Sequence, residues 1–222
     1  MQVSFKSITI AAGLGLLVLM PLGLYFVADV PRRSLLKEAL SLLTIVSFVA
    51  VIAQLFLARS DRAVNLLFKA PTVQRIHRIV GYGAIAVLAL HPFLIVLPRY
   101  FEAGVRPLDA LVTMLTTFES LGVVLGLIAW GLMMLLGVMA LFRMRLIRRF
   151  GLRYRGWRAV HGGLAAVFLI TALWHAMALG RHTGLMLGGF LIALAATGLG
   201  LLARLYLLER PRPQPNVQGA ST

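Results

Sequence analysis

The sequence runs to 222 residues, 60% of them hydrophobic and only 13% charged, with a mean hydropathy of +0.90. That balance excludes an ordinary water-soluble domain and makes lipid the solvent for most of the chain. Lys and Arg outnumber Asp and Glu 22 to 7, but the cations fall between apolar runs, which points to membrane topology and not to a nucleic-acid partner. The absence of cysteine excludes disulfides, iron–sulfur clusters, zinc–thiolate sites and covalent c-type haem attachment.

A hydrocarbon core about 30 Å thick takes roughly 20 apolar residues of helix, and that length is the ruler for the chain. The first run, 8–27, follows Lys6; it is too long for a secretory h-region and no A-x-A site follows, so it reads as a retained helix. Further runs lie at 39–58, 76–97, 121–142, 157–180 and 185–208, with 111–119 as an interfacial segment before the fourth. The expected fold is an all-α membrane protein: a six-transmembrane-helix bundle, domain 1–208. The tail that follows, 209–222, is Pro-rich and polar and reads as disordered.

Loop charge sets orientation. The stretch 59–78 carries five cations against one Asp, and 143–158 carries seven Arg and no acid, so both are expected at the cytoplasm. The 99–109 connection is balanced at two Arg and two acids, and 181–184 is very short, so both read as external. Both termini then lie in the cytoplasm. Against this pattern, Arg32, Arg33 and Lys37 fall on the expected outer side, offset only in part by Asp29 and Glu38.

Four of the five histidines form two pairs of equal spacing: His77 and His91 are 14 apart, as are His161 and His175. Fourteen residues come within roughly 40° of whole helical turns, so each pair shares one face, about 21 Å apart along the axis. With spans three and five both running outward, His77 meets His161 at one depth and His91 meets His175 at the other. Facing neutral imidazoles are suited to supplying both axial ligands of a b-type haem, giving two haems stacked across the membrane. A proton relay and buried, carbonyl-bonded histidines are the competing readings; the predicted spans hold no carboxylate to share in a relay.

Small residues agree with a flat ligand on these faces. Gly81, Ala84 and Leu88 lie along the His77 to His91 face, and Gly162 and Gly163 follow His161, where they leave room either for a macrocycle or for close helix packing. Phe168, seven residues from both His161 and His175, is the candidate aromatic spacer between the two sites. Arg78, Arg155 and Arg158 adjoin the inner pair and suit haem propionates; Arg99 and Arg181 are their outer counterparts. His182, in the short external loop, reads as solvated, and Arg204 as snorkelling to the inner interface.

The segments HRIVGYGAIAVLALHP (77–92) and YRGWRAVHGGLAAVFLITALWH (154–175) resemble the ferric reductase-like transmembrane domain of ferric reductases and NADPH oxidases. The resemblance covers the middle four spans. It implies that His77 with His161 ligates an inner haem and His91 with His175 an outer one, passing electrons from a cytosolic donor to an external acceptor across the bacterial inner (plasma) membrane. Unlike full-length enzymes of that kind, this sequence has no G-x-G-x-x-G and no βα pattern. The donor is therefore expected to be separate, either a flavin reductase (with FAD on a partner or at the cytoplasmic face) or quinol. The chain is also similar in size to the haem-bearing membrane subunit that supplies periplasmic methionine sulfoxide reductase and takes electrons from quinol or a separate flavoprotein, so a quinol-fed cytochrome b subunit is the alternative. A haem-free transporter or assembly protein is the reading of a different class.

Overall fold

The computed structural model describes residues 5–60, 62–104, 106–118, 120–151 and 153–207; the expected tail at 209–222, and Glu119 at the end of the interfacial segment, lie outside them. The described residues are helical and contain no strand, and six helices are long and apolar enough to cross a bilayer: Phe5–Val27, Leu35–Ala58, Ala70–Phe101, Leu121–Leu141, Tyr154–Leu179 and Leu185–Leu207. We number these spans one to six. The all-α, six-span expectation is met because each apolar run satisfies its backbone hydrogen bonds within itself, as lipid requires.

The helix of span three continues to Ala103 and, at 34 residues, extends about 51 Å, longer than the 76–97 run and well beyond the hydrocarbon thickness. Pro71 opens it within the first turn, where no amide donor is needed, and Gly104 at φ 64° closes it. The connection expected at 99–109 is thus mostly helical, continuing into a short helix, Pro107–Thr116, whose Ala110 and Leu111 pack on Val96 of span three. This short apolar helix takes the place of the interfacial segment expected at 111–119, starting earlier. On the opposite end, the basic segment after span four forms Arg143–Arg149 and turns at Gly151, φ 59°.

Two apolar clusters hold the bundle. One joins spans two, five and six through Val49, Ile52, Leu169, Leu187, Leu191 and Ala195. The other joins spans three, four and five through Ile85, Leu88, Ala129, Met133, Leu136 and Phe168. Span three packs along span two and span five along span four, whereas spans three and five are not closely packed against each other. The outward faces remain apolar, with Leu19, Leu90, Phe93, Val167, Ile170 and Trp174 exposed, as lipid-facing helices require.

Candidate functional site

Span three carries His77 and His91, and span five carries His161 and His175. The rings of His91 and His175 meet edge-on, with centroids 6.5 Å apart and planes at 87°. His77 and His161 line one cavity of about 880 Å³ at the other end of the bundle. Pairs meeting at both ends of an equal interval require the two helices to run in the same direction at one register. Antiparallel helices would have brought His77 to His175 instead.

The neighbours of each ring determine what it can offer. His175 Nδ1 lies 2.8 Å from the Gly122 carbonyl, which only accepts, so Nδ1 donates and Nε2 keeps its lone pair. That contact exists because span four has no side chain at position 126: a Cβ there would lie 2.6 Å from His175 Cε1 and nearer still to Nδ1. Gly122 likewise admits Leu179, whose Cγ would sit 2.8 Å from an added Cβ. On the partner ring, His91 Nδ1 is 3.4 Å from Thr44 Oγ1, whose own proton goes to the Leu40 carbonyl at 2.8 Å, leaving the hydroxyl as the acceptor. Trp130 Nε1 donates to the Ala89 carbonyl at 3.1 Å, tying span four to span three beside His91.

The other pair is different. His77 Nδ1 and His161 Nδ1 are buried without a hydrogen-bond partner, and so is Gln54 Oε1, which lines the same cavity. Buried polar atoms are almost always paired, and three that lack a partner surround this one cavity. Trp157, one turn before His161 and 5% exposed, stacks on its ring at 6.1 Å and 17°. Gly81 lies one turn beyond His77 and lines the cavity, where an added Cβ would come within 3.4 Å of Gln54 Oε1. Arg78 and Arg158 line the cavity too, as does Phe168, which is 5% exposed and belongs to the apolar cluster between the two histidine levels.

Several expected residues are placed otherwise. Gly162 faces Tyr206 of span six, whose ring would be 2.9 Å from an added Cβ and whose hydroxyl donates to the Arg158 carbonyl at 2.7 Å; the small residue serves helix packing there. Arg99 is exposed, and Arg181 donates to the Pro31 carbonyl at 3.1 Å. Arg155 is exposed and does not line the cavity. His182 is not solvated: it is 4% exposed, with both ring nitrogens lacking partners, and lies on the Tyr25 ring at 4.1 Å. The loop is so short that it folds over the end of span one, where Tyr25 presents a flat face. Glu38 is not a loop residue but sits in the first turn of span two, accepting from Tyr25 Oη at 2.5 Å and from Arg33 Nε at 3.2 Å. Burial depresses the His182 pKa, reinforced by Arg33, Arg32 and Arg181 and opposed by Glu38.

Among the described residues no three His, Asp or Glu converge on one point. Fold and site together define a multi-pass membrane protein with two co-aligned imidazole pairs in its interior. The chain belongs to the family described as ferric reductase like transmembrane component, which matches residues 43–172, from span two to three residues short of His175. A protein of Archaeoglobus fulgidus described as uncharacterized is 33% identical over 172 residues, covering 78% of this chain and 91% of its own length. No solved structure matches the chain. Family membership supports a role in membrane electron transfer.

Proposed function

We propose that the chain is a di-haem b conduit carrying electrons across the plasma membrane. The observation that carries this reading is the double pairing of imidazoles at matched depths, with a 6.5 Å centroid separation at the His91/His175 level. His91 and His175 would hold one haem and His77 and His161 the other, each pair supplying imidazole nitrogens to the iron. A pair of imidazoles at each level would suit a macrocycle that brings further nitrogen donors of its own. The 880 Å³ cavity at the His77/His161 level, within the usual range of cofactor pockets, and its orphaned imidazole nitrogens fit such a group.

A haem held at each pair supplies a one-electron carrier at each depth. The protein's contribution lies in the residues around it. Gly122 and Thr44 hold the His175 and His91 tautomers that leave Nε2 free, and an accepting partner on Nδ1 makes the ligand more basic. Trp157 fixes the His161 ring, and Arg78 and Arg158 are the cations for propionates. Phe168, packed with Leu88 and Met133, fills the layer between the levels with apolar atoms and keeps water out. The seven arginines of 143–158 favour the cytoplasm for the His77/His161 end, with both termini on that side and the acceptor outside. The donor is a separate flavin reductase.

A reduced-minus-oxidised spectrum of the purified full chain, with haem quantified, tests the reading. Reduction by NADPH with a flavin reductase, faster than by a quinol analogue, supports the flavoprotein donor; the reverse order assigns a quinol donor. A colourless, folded preparation rejects the conduit.

A further inference from the structure

Among the described residues, the cavity at the His77/His161 end is lined by six arginines, Arg75, Arg78, Arg143, Arg145, Arg148 and Arg158, and by no Asp or Glu. Among the described residues none of the six forms an ion pair. Arg148 Nε donates to the Met144 carbonyl at 3.3 Å, and Arg145 lies over the Phe142 ring at 5.4 Å. If one haem occupies the site, its two propionates answer two of those six guanidiniums, and no described carboxylate lines the cavity to answer the other four. Topology alone accounts for arginines at this end, but it acts on loop composition and does not require guanidiniums to converge on the mouth of a cavity that reaches the histidines. Arg149 gives the contrast. It belongs to the same short helix and does not line that cavity.

We propose that this mouth is the docking surface for a soluble electron-donor protein whose reduced flavin is ringed by carboxylates. The proposal rests on the conduit reading above. Each productive encounter passes one electron from the donor's reduced flavin to the chain, oxidising the donor by one electron, with no proton or group transferred. Like charges lining a cavity with low-dielectric walls focus their field outward, raising the encounter rate for an acidic partner by roughly 10- to 1000-fold at low salt. Anionic lipid headgroups are the competing occupant, but they meet the perimeter of the bundle, whereas these side chains surround an opening toward His77 and His161.

The test uses the full chain with its haem in zwitterionic nanodiscs, and reduced flavodoxin as the acidic flavoprotein probe. Arg145→Gln and Arg149→Gln remove one charge each from the same helix, one inside the cavity lining and one outside it. Arg145→Gln is expected to lower the second-order reduction rate about fivefold at low salt and to weaken its salt dependence, with Arg149→Gln within about twofold of the parent. Dithionite should reduce all three at one rate. Equal effects of the two variants, or a rate insensitive to salt, overturn the proposal. So does a variant effect that appears only when anionic lipid is added, which assigns the surface to lipid. Binding of oxidised flavodoxin, followed by flavin anisotropy, requires no haem. Loss of haem with Arg145-dependent binding intact rejects the conduit alone, while intact haem without such binding rejects the docking surface alone.

Discussion

Gly126→Ala is the sharpest perturbation of the His91/His175 level. The added methyl would lie 2.6 Å from His175 Cε1 and nearer still to Nδ1, so the ring must retreat by about 1 Å to regain ordinary contact. That retreat stretches the 2.8 Å bond to the Gly122 carbonyl, the contact that fixes the tautomer. Overpacking of this kind costs about 1–3 kcal/mol and a buried neutral hydrogen bond about 1 kcal/mol. Together about 2–4 kcal/mol corresponds to a roughly 30- to 900-fold weaker hold on a ligand at that site. Gly131→Ala on the same helix meets nothing within 4 Å and is the control. Haem titration of the purified chain should show two equivalents bound by G131A, and in G126A one tight equivalent with the second weakened. A G126A protein that binds both with unchanged affinity and spectrum would refute the assigned role of His175.

Further outcomes follow from the same contacts. His77→Ala or His161→Ala should abolish the same haem and spare the other, so the His77/His161 double variant should match either single in haem content. Tyr206→Phe removes the hydroxyl donated to the Arg158 carbonyl and should cost about 1 kcal/mol, read as a small fall in the melting temperature in detergent. Gly162→Leu, which forces a side chain into the Tyr206 ring, should lower it much further. His182, depressed in the fold, binds fewer protons there than when unfolded, so its contribution to stability is complete above its unfolded pKa of about 6.5 and falls as pH drops below it. The melting temperature of the parent should therefore decline from pH 7 to pH 5 more steeply than that of His182→Phe. Equal slopes would show that burial and the neighbouring arginines do not hold the ring neutral against the pull of Glu38.

The spans were legible because lipid leaves one solution to the backbone hydrogen-bond problem, and the run lengths announce it. The histidine pairs were legible because register on two co-directional helices is a matter of counting. The position of Phe168, seven residues from both His161 and His175, follows from the same count, and its side chain lies in the apolar cluster of spans three, four and five. What sequence reasoning missed lies in contacts between helices distant in the chain. Gly122, Gly126 and Trp130 are unremarkable members of a Gly-rich apolar run until span four is set against His175 and Ala89. Trp157 was available from its i, i+4 spacing to His161 but carried no pattern of its own. Arg32 and Arg33, which run against the charge asymmetry, are held by Glu38 at 3.4 and 3.2 Å, a pairing that depends on Glu38 lying in the first turn of span two and not in the loop. His182 reads as solvated from the sequence because a four-residue loop gives no hint that Tyr25 of span one lies beneath it.

Near-infrared magnetic circular dichroism of the oxidised, purified chain, with haem counted per polypeptide, tests the central claim most directly because the charge-transfer band reports which side chains bind the iron. Two haems per chain, both with paired imidazole ligands and each lost with one histidine pair, is the expected result. A single haem, or iron held by anything other than two imidazoles, would contradict it.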